Sequence, residues 1–187
     1  MKKPSVYIVH GYMASSTDHW FPWLKEKLAI DDIEATILDL PQSAQPDRTR
    51  WLRYMKEHVH LNENSIMVAH SLGCLATFNL LEVTRKNIDG LLLISGFVNS
   101  SPLPELDKFV STTTDTALIK QLTAKRIAIA AKDDRIVPYH MTVDLADKLD
   151  SDLITLETGN HLMASDGFFT FPLILDILKA WYTKKEC

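Results

Sequence analysis

The stretch Asn64-Ser65-Ile66-Met67-Val68-Ala69-His70-Ser71-Leu72-Gly73-Cys74-Leu75-Ala76-Thr77-Phe78 decides how this chain is read. Its first half is a continuous apolar run, its second half has helical composition, and the two meet at His70-Ser71. A strand, a tight turn holding a serine and then a helix is the layout that exposes a serine Oγ at the edge of an α/β sheet. Small residues two positions either side, Ala69 and Gly73, let strand and helix pass closely. Read alone, Ser-x-Gly recurs by chance, and Ser71 could serve only as a helix N-cap. The surroundings must decide.

Working outward, five more β-branched or aliphatic runs accompany Ile66–Ala69: Val6–Val9, Ala35–Leu38, Leu91–Ile94, Ile127–Ala131 and Leu153–Leu156. Nearly unbroken apolar strands of this kind are buried on both faces. Helical spacing fills the gaps, in Trp20, Trp23, Leu24 and Leu28, then in Trp51, Leu52, Met55 and Val59 behind a candidate cap at Asp47. Leu72–Leu81, Val143–Leu149 and Leu173–Trp181 follow. The alternation predicts an α/β fold: a three-layer α/β/α sandwich around a mainly parallel, six-stranded sheet, with residues 1–187 forming one domain. Residues 97–123, with Pro102, Pro104 and three consecutive threonines at 112–114, are expected to form a small cap or insertion.

In such a sheet, chemistry gathers beyond the carboxyl ends of the strands. A serine needs a base there, and the base needs an orienting acid. His161, in Gly159-Asn160-His161, follows the last predicted strand and is the best base. The other histidines read more simply as solvated or locally bonded. The acid should follow the fifth strand, where Asp133 and Asp134 are adjacent. Asp134 is favoured because Pro138, four residues on, is placed to open the next helix; Asp133 stays as an alternative with a turn-making role. For the oxyanion, the expected donors are the backbone N–H of Leu72, at the positive end of its helix, and that of Tyr12, behind Gly11. Trp20, Trp23 and Phe97 lie near strand ends, though tryptophans at helical spacing usually belong to the core.

Composition excludes other classes. The chain has 187 residues, is 46% hydrophobic and carries a net charge of −4 without blocks of like charge. No basic stripe is present for nucleic acid, and no apolar run approaches the roughly 20 residues of a membrane span. The apolar run behind Met1-Lys2-Lys3-Pro4 is too short for a signal peptide, so a soluble, cytoplasmic protein is expected. Two cysteines, Cys74 inside an apolar segment and Cys187, make no disulfide framework. No His-Glu-x-x-His, cysteine cluster or glycine-rich phosphate loop is found, and neither metal nor cofactor is expected.

Taken together, Ile8-Val9-His10-Gly11-Tyr12, Ala69-His70-Ser71-Leu72-Gly73, Asp134-Arg135-Ile136-Val137-Pro138 and Gly159-Asn160-His161 resemble the small serine hydrolases of the bacterial YdeN type. That group is related to the retinoblastoma-binding protein 9 type of animals. The resemblance extends to His19-Trp20-Phe21-Pro22-Trp23-Leu24 and Ser95-Gly96-Phe97. It implies an α/β-hydrolase fold lacking the first two strands of larger members, and a triad of Ser71, Asp134 and His161. Ala69 stands where glycine is commoner, a sterically small departure. The Leu-x-Cys-Glu-like segment proposed to bind a pocket protein in the animal relatives has no glutamate in Leu72-Gly73-Cys74-Leu75-Ala76, so that function does not transfer. The expected activity is hydrolysis of small carboxylic esters through an acyl-enzyme. A peptidase, amidase or thioesterase with the same triad is the second reading, and a non-catalytic binding protein the third.

Overall fold

Each of the six apolar runs is a strand in the computed structural model of the chain, which describes residues 4–110 and 112–183. The strands are β1 (Ser5–Val9), β2 (Glu34–Leu38), β3 (Ser65–His70), β4 (Ile88–Ile94), β5 (Thr123–Ala131) and β6 (Asp152–Leu156). Six α-helices alternate with them: α1 (Phe21–Ile30), α2 (Arg48–His58), α3 (Leu72–Thr84), α4 (Thr116–Leu122), α5 (Tyr139–Leu149) and α6 (Pro172–Thr183). Lys2, Lys3 and Cys187, considered above, lie outside the described residues. Among the described residues, no helix is long and apolar enough to cross a membrane.

All strand pairs are parallel, in the order β2-β1-β3-β4-β5-β6. The two-residue period of a strand divides its side chains between two cores. Tyr7, Val9, Met67, Ala69, Leu91 and Leu93 pack with α2, α3, α4 and α5 on one face. Val6, Ile8, Ile66, Val68, Leu92 and Ile94 pack with α1 and α6 on the other. The chain steps one way along the sheet from β1 to β2 and the opposite way thereafter. Right-handed crossovers therefore put α1 on one side and α2 through α5 on the other. This reversal makes the carboxyl ends of β1 and β3 the topological switch point.

Local chemistry accounts for individual elements. Asp47 caps α2, its side chain accepting the Arg50 N–H at 2.7 Å. Helix α3 is apolar nearly all round and buried from Leu72 to Leu81, as a helix under two neighbours must be. Gly90 leaves room for α6: a Cβ there would lie 2.5 Å from the Trp181 ring.

Several boundaries differ from the sequence reading, two of them with a clear physical reason. Strand β5 begins at Thr123 rather than Ile127, because Lys125 and Arg126 interrupt the apolar run without leaving the sheet. The Lys125 Nζ pairs with Asp89 at 3.1 Å, and Arg126 Nε donates to the Leu149 carbonyl at 2.7 Å. Within 97–123, residues 116–122 form α4, which packs against α3 and α5 as the crossover from β4 to β5. What precedes it holds a short 3₁₀ turn, Pro104–Leu106, and is pinned by buried Val98, Leu106 and Phe109. The Phe109 ring meets Trp51 edge-on at 5.1 Å, and Trp51 in turn meets His10 at 6.0 Å, beyond the end of β1. This segment thus leaves β4 and reaches the β1 side of the sheet's carboxyl edge.

Candidate active site

Ser71 follows the last residue of β3 with φ 54° and ψ −125°, a backbone state unfavourable for a side chain with a Cβ. Packing holds it there. Its N–H donates to the Ile94 carbonyl at 2.9 Å, and Gly11 and Gly73 admit the backbone on either side. A Cβ on Gly11 would lie 3.0 Å from the Ser71 Cβ and 3.2 Å from the Leu72 nitrogen. A Cβ on Gly73 would lie 2.5 Å from the Val9 carbonyl oxygen and 2.6 Å from that of His10. The turn after β1, carrying Tyr12, is therefore pressed against the start of α3. Leu72 is the first residue of that helix, where an N–H has no intrahelical acceptor and the helix dipole is positive. Although Ser71 occupies the N-cap position, its hydroxyl makes no capping hydrogen bond.

The loop after β6 brings His161 to Asp134, with 2.9 Å between His161 Nδ1 and Asp134 Oδ2 and both side chains buried. A carboxylate only accepts, so Nδ1 carries the proton and Nε2 presents its lone pair, the tautomer a general base needs. The other oxygen, Asp134 Oδ1, accepts the N–H groups of Ile136 and Val137, both at 2.9 Å. These bonds aim Asp134 at the histidine. Asp133 has a separate task, accepting the Asn160 N–H at 2.9 Å. Of the two adjacent aspartates, Asp134 is the one hydrogen-bonded to His161. Ser71 Oγ makes no hydrogen bond among the described residues; the serine is linked to the loop that carries His161 through its neighbour, His70.

The loop that carries His161 is backbone-strained. Asn160 and Leu162 have φ of 46° and 57°, and residues with a Cβ in that region cost about 1–3 kcal/mol each unless surroundings over-determine them, whereas Gly159 takes its φ of 152° without that cost. Here two buried side chains, His70 and Trp20, and the half-buried His19 over-determine the loop. His70 Nε2 lies 2.8 Å from the His161 carbonyl oxygen, Trp20 Nε1 donates to the Leu162 carbonyl at 3.2 Å, and His19 Nδ1 accepts the Ala164 N–H at 3.2 Å. Sequence reasoning missed these three. One signal was available for His70: a polar ring ending a wholly apolar strand must find a partner somewhere in the core.

Two further histidines, His10 and His58, have partners away from that loop. His10 Nε2 accepts the Leu40 N–H at 2.9 Å, which leaves its Nδ1–H for the Gly11 carbonyl, also at 2.9 Å. His58 stacks on Tyr54 at the surface. Burial holds His10, His19 and His70 below the usual histidine range, His70 well below it. Burial also pushes the Cys74 thiol above its ordinary range, consistent with a small core residue. Gly96 makes room for it, since a Cβ there would lie 2.6 Å from Cys74 Sγ. Among the described residues, no group of three or more His, Cys, Asp or Glu side chains is arranged to hold a metal ion.

Residues 6–180 match the serine hydrolase family. The chain belongs to that family. A Bacillus subtilis hydrolase, YdeN, is 42% identical over 184 residues, spanning 96% of this chain and 97% of YdeN. The serine hydrolase RBBP9 of Rattus norvegicus is 21% identical over 171 residues, spanning 90% and 89%. The YdeN crystal structure superposes with a TM-score of 0.93 at 41% identity, covering 97% of this chain and all of the other. A YdeN-like hydrolase from Pectobacterium atrosepticum gives 0.76 at 18% identity over 96% and 90%, a likeness of fold. The sheet and its helices are thus an α/β-hydrolase fold, and this serine hydrolase carries its strained serine at the edge where that fold does its chemistry.

Proposed function

We propose that this serine hydrolase cleaves small carboxylic esters through an acyl-enzyme formed on Ser71, with His161 as general base and Asp134 as the acid that orients it. The buried Asp134–His161 pair, on a loop that His70 ties to the strained turn of Ser71, is the observation that carries the reading.

In the first step His161 Nε2 takes the hydroxyl proton as Ser71 Oγ attacks the carbonyl carbon. Asp134 holds the imidazole in place and stabilises the imidazolium. The negative oxygen of the tetrahedral intermediate is met by the backbone N–H groups of Leu72 and Tyr12, worth about 3 kcal/mol each by analogy with other acyl-transfer sites. His161 then protonates the leaving alcohol. Water, deprotonated by the same histidine, releases the acid. The segment between β4 and α4 acts as a small cap over this edge, its reach towards β1 supporting that role. The buried free thiol of Cys74 fits a reducing, cytoplasmic setting.

The test is a chain-length series of p-nitrophenyl esters, set beside aminoacyl amides, with wild type and Ser71→Ala. Wild type should turn over esters and be labelled by a fluorophosphonate, and Ser71→Ala should do neither. Ester turnover surviving in Ser71→Ala would sink the nucleophile assignment. Amides cleaved in preference to esters would move the substrate class to the amidase reading.

A further inference from the structure

We propose that His70 is a positioning residue for catalysis, tying the base loop to the nucleophile turn so that His161 is fixed relative to Ser71. This rests on the assignment of Ser71 and His161 as nucleophile and base.

His70 is the last residue of β3, opposite Ile94 of β4, and is bonded covalently to Ser71. Its backbone position is therefore that of the nucleophile turn. Its Nε2–H donates at 2.8 Å to the carbonyl of His161, the residue that bears the base. Of the other contacts on this loop, Asp133 acts on Asn160 and Trp20 on Leu162. The His70 bond joins the base residue to the serine's own neighbour. One hydrogen bond thus spans the two groups whose separation sets the proton transfer.

The ring has little freedom to choose another partner. Its centroid lies 4.8 Å from that of His161, 5.6 Å from His19, 6.1 Å from Phe21 and 6.3 Å from Trp20. Only 2% of the residue is exposed. Burial, with His161, His19 and His10 nearby, keeps the ring neutral, so it adds no charge against the imidazolium that forms on His161. His10, also buried, is satisfied by Gly11 and Leu40, neither of which lies on the loop that carries His161. His70 instead bonds across 91 positions of sequence to the base.

Misplacing a catalytic group by about 1 Å can cost on the order of 100-fold in rate. His70→Phe keeps a ring of similar shape but leaves the His161 carbonyl without its donor. It should lower kcat for a p-nitrophenyl ester by about 10–100-fold with KM within about twofold, and weaken the low-field proton resonance of His161 Nδ1–H. His70→Gln, whose Nε2 reaches the same carbonyl, should recover most of the loss. His70→Asn, one methylene shorter, should not. Ser71→Ala and His161→Ala run in parallel. If both are inactive while His70→Phe matches wild type, the positioning role falls and the triad stands. If either keeps wild-type turnover, the triad assignment itself falls, and the proposal with it. Should His70→Phe fail to fold, the Gln and Asn variants decide, and equal rates for these two would overturn the proposal.

Discussion

At Gly73 there is backbone where a side chain would be. A Cβ 2.5 Å from the Val9 oxygen and 2.6 Å from the His10 oxygen has no flexible neighbour to yield. Gly73→Ala should therefore push α3 away from β1, costing about 1–3 kcal/mol in urea unfolding and slowing fluorophosphonate labelling of Ser71. The two aspartates make a sharper comparison. Asp134→Asn keeps the acceptor for Ile136 and Val137 but presents the wrong partner to His161 Nδ1. We expect kcat to drop on the order of 10⁴-fold with little loss of stability. Asp133→Ala removes only the acceptor for the Asn160 N–H, costing about 1 kcal/mol in stability and far less in kcat. Equal kcat losses for the two variants, measured on one ester, would contradict this division of roles. Adjacent identical side chains could not be told apart by composition; the turn at Asp134 and the position of Asn160 separate them.

Among the elements, α2 and α3 begin in opposite ways. Helix α2 starts on Asp47, which satisfies the Arg50 N–H, so Asp47→Ala should cost about 1 kcal/mol and lower Tm by about 2–4 °C, with catalysis unchanged. Calorimetry and an ester assay on one preparation would check both halves. Helix α3 starts on Ser71, whose hydroxyl is withheld from capping, and it depends on burial between sheet and neighbouring helices for stability. The strands were legible because parallel strands covered on both faces must be apolar throughout. The first half of β5 was not, because Lys125 and Arg126 reach partners on β4 and α5 that lie far away in sequence.

For the whole molecule, buried neutral histidines link stability to pH. His70 and His10 titrate below their unfolded value of 6.5, so above that pH they are neutral in both states and stability is complete. As pH falls below 6.5 the unfolded chain binds protons that the folded chain refuses, and stability is lost, by up to about 1.4 kcal/mol per pH unit for each such group. Tm should decline from pH 7 towards pH 5, and His70→Gln should flatten part of that slope; a slope unchanged in the variant would mean that His70 is not held neutral. The sequence by itself determined the strands, the parallel α/β class, the serine turn and the order of its candidate partners, because these follow from local apolar periodicity, turn chemistry and chain order. Only the tertiary structure decided which aspartate meets His161, what holds the strained base loop, and that His70 and Trp20 reach its carbonyls. Those are contacts between segments up to 145 positions apart, brought together by sheet order and burial, and no local pattern encodes such distances.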